Sequence, residues 1–323
     1  MKFEIDYLDI VTIRSCQLKC EGCCTFSDHR EINGLEEAED YEKQLEHWAK
    51  FLSPKRTNIF GGEPLMHPRF INWFRLIRKN WPTLPIWVNT NGYYLDKLFE
   101  HVDELFIESE LSLLFIAITK HTQDEPYGSL VDSNLQKLLD LIKHAREKKH
   151  QTEFIWVRAT EYESEHKKFY RLIKSNDPDT GFGLISYCEQ YNDNFVPHYR
   201  GHGATLQPWH NYNDSAGMIN NHEVCHIKKY VQFYKGDLYK CPPRAVLNHT
   251  LDTYGLSENE EWVDYYKDYT PLKLTDSEET IKKWLYQQNL PEKTCNMCGF
   301  MHSHEYLPIT QHFPKKMFKI KAG

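Results

Sequence analysis

Short β-branched, apolar runs alternate with amphipathic helical patterns from residue 7 to about residue 190, and this alternation restricts the fold more than any other feature. Residues 7 to 14 form the first run. A helix marked by Tyr41, Leu45, Trp48 and Leu52 follows, ending before Ser53-Pro54. Thr57 to Phe60 reads as a short strand stopped by Gly61-Gly62-Glu63-Pro64. The rhythm continues with a helix carrying Phe70, Trp73, Phe74 and Ile77, a strand over 85–90, a short helix near 95–101 and a strand over 114–119. That last strand is apolar almost throughout, as one covered on both faces would be. Leu135, Leu138, Leu139 and Ile142 mark a long helix, 153–158 a fifth strand, about 162–174 another helix and 183–187 a sixth strand. Six βα-like units in succession imply a parallel sheet with helices outside it. In such sheets the ligand site lies at the C-terminal strand ends, where the loop after residue 14 and Glu63, Asn91, Thr119, Arg158 and Cys188 all fall.

The loop after the first strand holds Cys16, Cys20 and Cys23 at spacing C-x3-C-x2-C. Three thiolates at this spacing can ligate three irons of a 4Fe-4S cube and leave the fourth open to an outside ligand. Half of a structural zinc site is the alternative, although no histidine lies nearer than His29. At the next strand end, Gly61-Gly62 would let backbone approach a ligand closely, and the Glu63 carboxylate could hold an ammonium.

Together, the C-x3-C-x2-C loop and the Gly61-Gly62-Glu63-Pro64 segment resemble the signature of radical S-adenosylmethionine (SAM) enzymes. The resemblance spans about residues 7 to 190 and implies an α/β fold, a partial (βα)6 barrel. It implies SAM on the open iron, its ammonium near Glu63 with backbone from Gly61 and Gly62, and Asn91 in the same site. Thr119 matches a ribose or carboxylate contact, and Arg158 a carboxylate contact, with a surface ion pair the competing reading for Arg158. Gly22 departs from the family pattern, which often has a bulky residue there, so adenine packing is expected from elsewhere, with Val157 the candidate. A one-electron reductant such as flavodoxin or ferredoxin is the implied protein partner.

After about residue 190 the rhythm stops. Cys225 precedes two short strands, 230–235 and 238–241, which read as a hairpin turning at Gly236-Asp237 and ending on Cys241. Thr275 and Glu278 form an expected capping box, and Cys295 and Cys298 close the pattern. Four thiolates are enough for a second 4Fe-4S cluster or a zinc ion. The arrangement resembles the twitch domain, a short SPASM-like auxiliary-cluster domain, which implies a small β-hairpin and helix domain. The expected division is 1–190 for the partial barrel, 191–224 for a connecting segment and 225–323 for the auxiliary domain and tail. Cys24 reads as a small packed residue. Cys188 is either buried and apolar in role or a hydrogen-atom donor to a substrate radical.

Charge and composition narrow the function. With 39 Lys+Arg against 46 Asp+Glu the formal charge is -7, which argues against a nucleic-acid partner. The basic tail at Lys315, Lys316, Lys319 and Lys321 reads as a solvated end. No signal peptide or apolar span is visible, so a cytoplasmic enzyme without membrane partners is expected. Nine cysteines, an odd number, suit a reducing compartment. The chain has no evident N-terminal extension for leader-peptide recognition, so a small polar or sugar-like metabolite is the expected substrate, ahead of a peptide. Net oxidation is the expected outcome, with epimerisation through Cys188 as the alternative. An electron carrier or a zinc-stabilised binding protein would explain the cysteines but not Gly61-Gly62-Glu63 at a strand end.

Overall fold

The computed structural model describes residues 2–20, 23–29, 31–108, 114–121, 124–158, 167–189, 198–209, 215–225, 228–288 and 290–298. Its strands are β1 (Phe3–Ile13), β2 (Leu52–Gly61), β3 (Ile86–Thr90), β4 (Leu114–Lys120), β5 (Phe154–Arg158), β6 (Lys167–Lys174), β7 (Asp177–Glu189), β8 (Tyr199–Arg200), β9 (Gln207–Pro208), β10 (Tyr230–Tyr234) and β11 (Asp237–Tyr239). Nine of them form one sheet in the order β11-β10-β1-β2-β3-β4-β7-β6-β5, and β8 pairs with β9 apart from it. The run from β10 through β1, β2, β3 and β4 to β7 is parallel throughout, whereas β11, β6 and β5 are joined by antiparallel pairing. The fold is mixed α/β with a largely parallel sheet that does not close into a barrel, since β11 and β5 lie at opposite edges.

The period-2 alternation of each strand separates the two sheet faces. Leu8, Ile10, Ile59, Ile86, Val88, Ile116, Ile118 and Ile185 are all buried on one face. They share a core with the helices α1 (Glu42–Phe51), α2 (Phe70–Asn80) and α3 (Tyr127–His150), through Leu45, Trp48, Trp73, Ile77, Leu135 and Leu138. Each such Leu or Ile contributes about 1.5–3 kcal/mol by leaving water. The helices end where the sequence gives them reason to. Pro54 disfavours helical backbone just before it, and Leu52, which caps α1, is already extended.

The opposite face carries Asp9, Val11, Asn58, Phe60, Trp87, Asn89, Phe115, Ala117 and Thr119 in register across the strands. Val11 and Phe60 on this face pack against a second core, built from α5 (Pro242–Thr253), α6 (Glu260–Tyr266), Tyr199, Leu206 and Met297. The remaining helices are α4 (Ser215–Val224) and α7 (Glu278–Gln287).

Three expectations are corrected by these elements. Residues 167–174 form strand β6, not the second half of a helix, because Ser175 and Asn176 turn the chain straight back into β7; 161–166 lie outside the described residues. The hairpin turns at Lys235-Gly236, one residue earlier than Gly236-Asp237. Both turn residues have positive φ, 52° and 89°, the pair of left-handed conformations that a tight hairpin requires. Helix α7 is capped by Ser277, whose side chain accepts from the Thr280 N–H, not by Thr275. The hairpin β10–β11 also joins the main sheet, since β10 runs parallel to β1. The His210 to Asn213 segment and the basic tail lie outside the described residues.

Asp9 is buried at the junction of three strands, accepting from the Asn58 amide on β2 and from Gln232 Nε2 on β10 at 2.8 Å. Burial pushes its carboxyl up to about 7 against those two hydrogen bonds. The folded state therefore holds a proton that the unfolded chain releases near pH 4, and stability present at low pH is lost as pH rises towards about 7. Asp9→Asn cannot ionise and can still meet Asn58 and Gln232, so it should flatten that fall, by about 1.4 kcal/mol for each pH unit spanned. Urea unfolding at pH 5 and pH 7.5 measures the difference. Equal pH dependence in the two proteins would show that Asp9 does not ionise in this range.

Candidate active site

The backbone leaving β1 is tied to the backbone leaving β2. Gly62 N–H donates to the Ile13 carbonyl at 2.7 Å, and Glu63 N–H to the Ser15 carbonyl at 2.9 Å. A Cβ on Gly61 would lie 2.1 Å from the Ile13 oxygen, and one on Gly62 2.2 Å from the Ser15 oxygen. Gly61 also has φ +140°. The two glycines thus bring the β2 end against the start of the cysteine loop, so that here the close approach is to backbone.

Glu63 consequently sits fully buried between β2 and β3. Its Oε1 accepts from Leu65 N–H at 3.0 Å and Thr90 Oγ1 at 2.6 Å, and its Oε2 accepts from Asn91 N–H at 2.8 Å. Burial still pushes the carboxyl up to about 7. A cation placed beside it would restore the carboxylate form. Oε2 accepts only one of these bonds, and a carboxylate oxygen has room for two.

Asn91 connects this carboxylate to the first cysteine. Its side-chain Nδ2 lies 3.6 Å from Cys16 Sγ, and its amide pairs head to tail with that of Gln17, at 2.7 and 3.3 Å. Tyr127 fixes the Asn91 carbonyl at 2.6 Å. Cys23 Sγ lies 3.2 Å from Thr25 Oγ1, which in turn contacts Ser27 Oγ and the Gly61 carbonyl. The loop's far side is held by Phe26 stacked on Tyr199 at 4.4 Å, by Tyr199 bonded to Asp28, and by His29, which contacts Tyr254 at 3.0 Å. Cys16 is buried, while Cys20, Cys23 and Cys24 are half-buried. Burial raises the Cys20 and Cys23 thiols above their ordinary value, and for Cys20 the neighbouring Cys16 and Cys23 sulfurs add to the rise. Thiols whose charged forms are disfavoured by burial are a donor set that positive iron would relieve. Glu21 and Gly22 lie outside the described residues.

The other expected residues are less concentrated. Thr119 is half-buried on β4 and pairs in register with Cys188 on β7, whose side chain lies outside the description. Arg158, exposed, and Val157, half-buried, sit on β5 at the sheet edge, with β7 and β6 between them and β4. The structure does not bring them to the cysteine loop, because β7 takes the place beside β4 where β5 was expected, and β6 separates β7 from β5. Gln17 and Thr25 carry no sequence signal for their roles, since their contacts depend on where β2 and β3 end.

Cys225, Cys241 and the Cys295–Cys298 pair come from three separate places in the sequence and line one cavity, of about 70 Å³ to a water-sized sphere, with His198, His222 and Arg244. A single water needs about 10–15 Å³ by the same measure. His198 Nδ1 lies 3.3 Å from Cys298 Sγ, and Asn221 Nδ2 donates to the Cys295 and Cys298 carbonyls at 2.8 and 3.1 Å. Burial pushes the Cys241 thiol up to about 12 and that of Cys295 to about 11. Among the described residues no three His, Cys, Asp or Glu side chains meet at the spacing of a single bound ion.

Gly62→Ala would drive a methyl group into the Ser15 carbonyl, and the expected cost is about 1–3 kcal/mol of overpacking. Thermal unfolding should show a lower midpoint than wild type. An unchanged midpoint would mean that the two loops separate without loss.

Comparison with known proteins places these loops in a known context. A GTP 3',8-cyclase of Microcystis aeruginosa is 27% identical over 137 residues, covering 42% of this chain and 41% of that protein, so the chain matches about two fifths of its relative's length. Among solved structures, the chain is similar to BtrN in complex with AdoMet and 2-DOIA, with 12% identity, 92% of this chain and 94% of that one covered, and a TM-score of 0.46. It is also similar to Streptococcus suis SuiB bound to precursor peptide SuiA, with 19% identity, 45% and 31% covered, and a TM-score of 0.32. The family model described as the Radical SAM superfamily matches residues 10–173. Because that span is half of the chain and contains the cysteine loop and the Gly61-Gly62-Glu63 turn fastened to it, the chain belongs to the radical SAM superfamily.

Proposed function

We propose that this protein is an enzyme that cleaves SAM reductively and abstracts a hydrogen atom from a C–H bond of a small polar or sugar-like metabolite, with net oxidation as the outcome. The observation that carries the reading is the fastening of the cysteine loop to the Gly62-Glu63 turn, which puts three thiols, a buried carboxylate and the Asn91 amide at adjacent parallel strand ends. Cys16, Cys20 and Cys23 would hold a 4Fe-4S cluster. When bound, that cluster supplies the electron that breaks the SAM sulfonium, giving methionine and a 5'-deoxyadenosyl radical. Glu63 would receive the SAM ammonium on Oε2, returning its carboxyl to the charged form. Asn91 would donate to the Cys16 thiolate and orient it. Thr119, half-buried on the face away from α1, α2 and α3, is the described β4 side chain placed for a ribose contact.

Cys225, Cys241, Cys295 and Cys298 would hold a second, auxiliary cluster in a twitch-like domain, and their position around one cavity supports that reading. With all four cysteines as ligands the site would accept an electron but not bind substrate. Oxidation balances in these terms: an alcohol carbon that has lost its hydrogen atom becomes a carbonyl carbon by losing one electron to the auxiliary site and the hydroxyl proton to water or a base. No helix among the described residues is long and apolar enough to cross a membrane.

Anaerobic reconstitution with iron, sulfide and a one-electron reductant tests the class. Wild type should hold about eight irons per chain and form 5'-deoxyadenosine from SAM. The Cys16, Cys20 and Cys23 triple alanine variant should form none and keep about four irons. Undiminished 5'-deoxyadenosine from that variant would sink the assignment.

Oxidation and epimerisation part at Cys188. Once a turned-over metabolite is in hand, Cys188→Ala should keep both turnover and product if the electron leaves through the auxiliary site. Loss of product with SAM cleavage intact would favour a thiol hydrogen donor and an inverted centre.

A further inference from the structure

The cavity around the four C-terminal cysteines contains a cation whose position no ion pair among the described residues accounts for. Arg244 lines it and is 2% exposed. Its Nε and Nη1 have no hydrogen-bond partner among the described residues. The guanidinium lies over the Tyr269 ring, 4.0 Å from its centroid, which holds the plane without neutralising the charge. The other lysines of the cavity wall are engaged: Lys240 is paired with Glu292 and donates to the Gln287 carbonyl, and Lys228 donates to the Glu223 carbonyl. A buried guanidinium left with unpartnered N–H groups costs several kcal/mol unless an anion meets it.

The local fold aims further positive character at the same place. Cys241 is the residue preceding α5, and Pro242 and Pro243 open the helix. The partial positive charge at the N-terminus of a twelve-residue helix therefore lies next to Cys241. The Cys241 side chain makes no capping hydrogen bond to the helix, so that end keeps its N–H groups for another acceptor. The Arg244 side chain and the start of α5 thus lie together on one wall of the thiol-lined space.

We propose that Arg244 tunes the auxiliary site, donating from its guanidinium to the cluster's sulfurs and making the cluster easier to reduce. The proposal rests on the reading that these cysteines hold a 4Fe-4S cluster. Reduction by one electron adds negative charge to a group that four thiolates already make anionic, and a buried permanent cation favours that added charge. A site built this way takes the electron released by a substrate radical more readily. Arg244 is a positioning and tuning residue. Sequence reading missed it because one arginine after two prolines carries no metal-site signal.

The experiment uses the full-length Cys16, Cys20 and Cys23 triple alanine variant, reconstituted anaerobically, so that the four C-terminal cysteines hold whatever cluster is present. Its ratio of reduced to oxidised cluster is followed by electron paramagnetic resonance while dithionite and mediators set the ambient potential. Adding Arg244→Gln should lower that ratio at least tenfold at the midpoint of the parent, a shift of about 59 mV for a one-electron couple. Arg244→Lys, which keeps the charge, should stay within about threefold, since the lysine ammonium loses the fork of donors but not the field. If Arg244→Gln loses its iron while Arg244→Lys keeps it, the charge is confirmed as holding the cluster. An unchanged ratio in Arg244→Gln, or equal loss of iron from both variants, overturns the proposal in favour of a packing role. Stoichiometric zinc or no iron-sulfur centre in the parent would overturn the cluster reading, and the proposal with it.

Discussion

Two backbone hydrogen bonds, from Gly62 to Ile13 and from Glu63 to Ser15, decide where everything else at the strand ends can lie. They form only if neither Gly61 nor Gly62 carries a Cβ, because the carbonyls of Ile13 and Ser15 occupy that space. Once made, they fix the first cysteine, three residues after β1, beside the turn that ends β2. They also turn the Glu63 side chain inward, where burial is complete and the donors are Leu65, Thr90 and Asn91. The carboxylate then holds the end of β3, and the Asn91 amide reaches back to Cys16. The geometry closes on itself through β1, β2 and β3, so the thiols are held by rigid sheet ends although they sit in a loop. A loop held in this way can present thiols to iron without having to fold around it.

Most of the sheet was legible because a parallel strand buried on one face and packed on the other must be apolar and β-branched over its length. Residues 114–119 and 85–90 are of this kind, and they fall at β4 and β3. The loops were legible because cysteine spacing and adjacent glycines are chemistry written in consecutive residues. What was not legible is position across the sheet. Residues 167–174 alternate charge with aromatic and apolar side chains in a way compatible with a helix or with an antiparallel strand, and the choice is made by the turn at Ser175 and Asn176. That single choice inserts β6 beside β7 and moves β5 to the edge, which is why Arg158 and Val157 stand away from the cysteine loop. Gln17, Thr25 and Arg244 belong to the same class, since their partners are 36 to 74 residues distant or are supplied by a cavity wall.

The C-terminal hairpin has a part beyond the four cysteines. Strand β10 pairs in parallel with β1 from Tyr7 and Tyr230 to Ile10 and Phe233, and Gln232 supplies one of the two amides that hold Asp9. Helix α5 leaves the hairpin after Cys241 and packs Val246, Leu247 and Leu251 into the core that contains Val11 of β1 and Phe26 of the cysteine loop. Arg14, the residue after β1, donates to Thr250 on the same helix at 2.9 Å. Both groups of cysteines are therefore anchored to one strand, Cys16 at its end and Cys241 through its neighbour. Movement of either group relative to the other would have to break parallel pairing that is buried on both faces, or pull Phe26 out of the second core. On the proposed reading, a substrate radical formed near the first group would meet its electron acceptor at a separation set by β1 and not by a hinge. Under that constraint the remaining freedom to adjust the proposed reaction would be electrostatic, and the buried guanidinium on α5 is the group placed to exercise it.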